Sequence, residues 1–195
     1  MGESASFLAQ VFAAIWAIAA HEAEAEGRDL SETIGLGRAD LIALAVHWQP
    51  APDAFGRASA ARDKVLFDEE EEQVLALLES HRADEGLDSY WLARMITRRA
   101  MQPNHLWQDL GLPDRTALNR LLREKFPKLA ARNIQNMKWK KFFYRCLCEL
   151  EGFSLCAAPS CRECDDFDAC FGPEDGESML ARNRREIMSG SLSHP

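Results

Sequence analysis

Apolar residues recur along this chain at helical spacing, in blocks that glycine and proline separate. From Ser4 to about Glu26 the period predicts a helix, with Phe7, Val11, Ile15 and Ile18 on one face and Phe12 and Trp16 widening it. Gly27 stops it, and Ser31 to Gly37 reads as a turn-like link. Leu41, Leu44, Ala45 and Trp48 give a second stripe, which Pro50 and Pro52 end. Residues 50–60, rich in Pro, Ala, Gly and Ser, read as an exposed loop.

Asp68 and the four glutamates after it open a third helix, with Val74, Leu77 and Leu78 facing inward. An acidic first turn complements the helix dipole, so Glu69–Glu72 is expected to be a solvated helix start. Asp88 is a good N-cap for a fourth helix, in which Trp91, Leu92, Met95 and Ile96 alternate with Arg94, Arg98 and Arg99 until Pro103 closes it. A fifth begins at Pro113-Asp114 and buries Leu118, Leu121, Leu122 and Phe126 before Pro127.

The last long helix is expected over about Asn136 to Glu151. Trp139, Phe142, Phe143, Cys146, Leu147 and Leu150 share one side, and Lys141, Tyr144, Arg145 and Cys148 share the other. Cys146 reads as a small core residue, whereas Cys148 sits beside positive charge, where a thiolate is favoured. No stretch alternates with strand period, and no internal repeat occurs. The expected fold is therefore all-α: a helical bundle over residues 1–152, and a C-terminal cysteine-rich metal-cluster loop and tail over 153–195 packed as one structural unit with it.

The formal net charge of −8 over 195 residues argues against a general nucleic-acid binder. Met1-Gly2-Glu3 has no positive n-region, and the alanine-rich apolar stretch Phe7–Ala20, broken by Gln10, reads as a buried helix too short to span a bilayer comfortably. A cytoplasmic location is expected. All 6 cysteines crowd between Cys146 and Cys170, and in a reducing compartment such crowding favours metal over disulfides.

Four of them, Cys156, Cys161, Cys164 and Cys170, stand in the spacing C-x4-C-x2-C-x5-C. Thiolates this close repel one another unless a proton or a metal neutralises them. A structural zinc site usually pairs two C-x2-C units, and only Cys161 and Cys164 form one here. A compact loop with four thiolates favours an iron–sulfur cluster, with zinc and redox thiols as the other readings. Glu163, Asp165, Asp166 and Asp168 would lower a cluster's potential, or simply keep the loop soluble.

Upstream, Lys138 to Arg145 carries four positive charges and no acid. A helix explains the alternation of aromatics and cations; the same cations also suit an oxyanion such as molybdate or phosphate, or an acidic partner surface. His105 lies in an interhelical segment from which it could reach a metal, though a solvated or hydrogen-bonded histidine is the commoner case. No G-x-S-x-G, Walker or dinucleotide motif suggests an enzyme.

Met137 to Arg145, Leu147 to Glu149, Gly152 to Cys170 with Phe171 to Glu174, and His105 to Leu112 together resemble the nitrogen-fixation family NifQ. The resemblance implies a carrier rather than an enzyme: a molybdenum–iron–sulfur cluster protein that donates molybdenum for assembly of the nitrogenase iron–molybdenum cofactor. It implies that Cys156, Cys161, Cys164 and Cys170 bind the cluster, and that the nitrogenase iron protein and the cofactor scaffold complex receive the metal. It assigns nothing to Cys146, Cys148 or His105. Two other classes compete with it: an ordinary Fe–S electron-transfer or sensing protein, and a zinc-stabilised regulator using Trp107 to Ala131 as a helix-turn-helix around Gly111.

Overall fold

The computed structural model describes residues 3–150, without the side chains of Cys148 and Leu150. Among these residues there are ten α-helices and no strand, as the helical periodicity predicts. The expected cysteine-rich loop and tail lie outside the described residues. The chain divides into two compact units, Met1–Gln102 with Leu106–Arg132, and Pro103–His105 with Asn133–Pro195.

The first unit opens with α1 (Glu3–Glu26), which buries Leu8, Val11, Phe12, Ile15, Trp16, Ala19, Ala20 and Ala23. At its two ends the buried line runs one residue aside from the expected Phe7 and Ile18, which are half-buried, and takes Leu8 and Ala19 instead. With 24 residues and a mean hydropathy of 1.4 in its most apolar window, α1 is long and apolar enough to cross a membrane. The expectation that the stretch is too short is therefore corrected. What marks it as a core helix is its packing within the unit and the ion pair its Glu22 makes there.

Two segments expected to be irregular are helical. The turn-like link contains α2 (Leu30–Ile34), capped by Asp29 accepting from the Ser31 amide and ended by Gly35 at φ +84°. The supposed loop after Pro50 and Pro52 contains α4 (Ala54–Ala60), which buries Ala54 and Ala58. It packs on α3 (Arg38–Trp48). Both helices are short and anchored by a few small or apolar residues, so their stability comes from tertiary packing rather than from length.

Next come α5 (Glu69–Glu79) and α6 (Leu87–Ala100), which pack on each other. Asp68 and Glu71 form a reciprocal capping box, with the Glu71 amide 2.9 Å from Asp68 and the Asp68 amide 3.0 Å from Glu71. Glu69 and Glu72 are exposed as expected, but Glu71 is only 3 % exposed, and its carboxylate lies 3.1 Å from Arg98 Nε. Burial raises the Glu71 carboxyl above the usual carboxylate range, and burial likewise depresses the Arg98 guanidinium. Gly86, not Asp88, caps α6.

Asp88 instead accepts the indole N–H of Trp48 at 2.7 Å, while Asp40 on α3 accepts that of Trp91 at 3.2 Å. These crossed bonds join α3 to α6, and Phe12 of α1 contacts both indoles, with ring centroids 5.3 Å from Trp48 and 6.3 Å from Trp91. The unit is completed by α7 (Leu106–Asp109), α8 (Arg115–Lys125) and α9 (Pro127–Arg132). Asp114 caps α8, which buries Leu118, Leu121 and Leu122 as the sequence predicts. Because α7 is a single turn, the stretch from Trp107 to Ala131 lacks the first full helix a helix-turn-helix requires.

In the second unit the described residues are Pro103–His105 and the segment leading into α10 (Trp139–Leu150).

Candidate metal centre

The segment that leads toward the cysteine motif is held from its first residues. Asn133 and Met137 bond each other twice, the Met137 amide donating to the Asn133 side-chain carbonyl at 2.8 Å and the Asn133 amide group to the Met137 carbonyl at 3.0 Å. Between them Asn136 takes φ +51°, a left-handed conformation that asparagine tolerates better than most residues. This turn sets the start of α10, whose first turn closes with the Phe142 amide on the Lys138 carbonyl at 2.9 Å.

Aromatic packing fixes the buried face of α10. Trp139 meets Phe142 edge to face at 5.6 Å and Phe143 at 6.0 Å between ring centroids. Trp139, Phe142, Phe143 and Cys146 are buried as expected, with Cys146 only 1 % exposed. Two positions differ from the sequence reading. Tyr144, assigned to the polar side, is buried, and Leu147, assigned to the core, is half-buried. The apolar arc is therefore wider than one stripe and extends toward Tyr144, as an amphipathic ring permits.

The cations fall on the remaining arc. Lys138, Lys141 and Arg145 follow one another at helical spacing and are half-buried, as is Lys140. Arg145 is held by three neighbours. Its Nε lies 3.2 Å from Glu149, and its Nη1 donates to Gln135 at 3.3 Å and approaches the Met137 sulfur at 3.7 Å. Sequence reasoning did not single out Gln135 and quoted Met137 only as the start of a family-like stretch; their contacts with Arg145 go with the turn at Asn136, which periodicity does not reveal.

The four expected cluster ligands, Cys156, Cys161, Cys164 and Cys170, lie outside the described residues, as does the side chain of Cys148. Cys146 takes the core position expected of it. His105 is half-buried in the Pro103–His105 part of the second unit. Among the described residues no group of three or more His, Cys, Asp or Glu side chains is placed to hold a metal ion. The described residues nearest the motif in sequence are thus those of α10, with a core-facing thiol, a buried aromatic face and a basic arc.

Comparison with known proteins bears on the rest. The NifQ family model matches residues 11–172, a span that contains all four cysteines of the C-x4-C-x2-C-x5-C motif. The chain is similar to the Protein NifQ homolog of Sinorhizobium fredii, with 43% identity over 86% of this chain and 73% of the relative. It is also similar to Protein NifQ of Rhodobacter capsulatus, with 41% identity over 74% of this chain and 79% of the relative. Protein NifQ of Azotobacter vinelandii is 45% identical over 55% of this chain and 54% of its own length. No solved structure matches the chain. With a family model spanning most of its length and a relative matched over most of both chains, the protein belongs to the NifQ family.

Proposed function

We propose that this protein, as a NifQ-family chain with a role in nitrogen fixation, carries a molybdenum–iron–sulfur cluster and donates molybdenum to assembly of the nitrogenase iron–molybdenum cofactor. The observation that carries the reading is the family match over a span that includes Cys156, Cys161, Cys164 and Cys170. Soft thiolates bind iron and reduced molybdenum well, whereas oxygen ligands suit molybdate, so this donor set fits a sulfide-bridged cargo. Molybdate or another molybdenum source supplies the metal, and the nitrogenase iron protein and the cofactor scaffold complex receive it. The chain acts as a cytoplasmic carrier, with no reaction of its own and no need for a membrane or nucleic acid.

Release of a cargo requires that its ligands exchange, which four thiolates on one short segment allow more readily than ligands drawn from several helices. The test is elemental analysis with electron paramagnetic resonance on protein purified anaerobically after iron, sulfide and molybdenum supply. Iron and molybdenum are expected together in the native chain, and both are expected to vanish when Cys156, Cys161, Cys164 and Cys170 are replaced by serine. Iron without molybdenum would indicate an ordinary Fe–S protein; metal unchanged by the serine replacements would overturn the ligand assignment.

A further inference from the structure

We draw no further inference here: the strongest candidate, the open groove where α3 meets the start of α6, lined by Val46, His47, Leu87 and Trp91, is an unpartnered apolar face whose acids Asp84 and Asp88 are already engaged by Ser89 and Trp48, and nothing in the structure shows what covers it.

Discussion

Arg99 and Glu22 form an ion pair from which water is almost wholly excluded on the arginine side: the Arg99 side chain is 1 % exposed and that of Glu22 is 23 %. Both terminal nitrogens of Arg99 donate to the Glu22 carboxylate, and its Nε donates to the Asp109 carbonyl at 2.6 Å. One guanidinium therefore ties α1, α6 and α7 together. Removing one partner strands the other, so Arg99→Met is expected to destabilise the fold by about 3–5 kcal/mol. Adding Glu22→Leu to Arg99→Met should recover much of that loss, since an apolar pair of similar volume avoids burying a lone charge. Urea midpoints for the two singles and the double variant check it; additive losses would show that the pair is not coupled.

A second prediction concerns the close approach of α2 to α6. Gly35 sits at φ +84°, and a Cβ there would lie 2.9 Å from both the Arg94 carbonyl and Arg98 Cβ. Gly35→Ala meets backbone strain and a backbone clash together, for an expected cost of about 1–3 kcal/mol. Gly56 is the matched control: it lies inside α4, and a Cβ added there meets nothing within 4 Å. Gly56→Ala is expected to stabilise by about 0.5–1 kcal/mol. Thermal unfolding of the two variants should shift in opposite directions.

These two sites mark the boundary of what the sequence makes legible. Periodicity is a strong signal where a helix is long and has one apolar stripe, so α1, α3, α5, α6, α8 and α10 are all foreseen. It fails where the helix is shorter than two turns, as in α2 and α4, because too few positions exist to define a period. It also cannot see a buried charge. Arg99 falls in a polar position by pattern and Glu71 in a solvated acidic turn, yet each is buried through a partner distant in sequence, Glu22 and Arg98. The proposed ligand set is a different case, since it rests on spacing and family resemblance alone. Cysteine spacing is local, so Cys156, Cys161, Cys164 and Cys170 can be read from the chain directly, whereas the turn that holds Arg145 depends on Asn133 and Met137 folding back on each other.

Asp84 gives a prediction with a definite sign in pH. Its Oδ1 accepts from the Ser89 hydroxyl and from the Gly86 amide, each at 2.8 Å, and these bonds hold its carboxyl below the usual carboxylate range against a smaller effect of burial. A depressed folded-state value means the stabilisation is present above the unfolded value, near pH 3.9, and is lost as pH falls through the folded one. Asp84→Ala is expected to cost about 1 kcal/mol at neutral pH, by loss of these bonds at the start of α6. The difference from the native protein should persist down to about pH 4 and shrink below it. Paired urea titrations at neutral pH and at about pH 3 would test this, and a difference that grew on acidification would contradict the assignment.

Cys146 offers a test that tells a packing thiol from a ligand thiol. It is 1 % exposed on the aromatic face of α10, ten residues before Cys156. A residue buried there contributes by filling space, and deleting its sulfur removes roughly one methylene equivalent of buried volume. Cys146→Ala is therefore expected to lower stability by about 1 kcal/mol while leaving iron and molybdenum content unchanged. Cys146→Ser should be the more damaging change, by about 1–3 kcal/mol, because a buried hydroxyl gives up more hydration than a thiol does. A ligand thiol would give the opposite ordering of effects: replacement by either alanine or serine would remove metal, and stability of the metal-depleted fold would hardly distinguish them. Metal analysis alongside urea unfolding of the two variants decides between these outcomes. A Cys146→Ala protein that folded with native stability but lost its iron would move Cys146 from the core to the cluster.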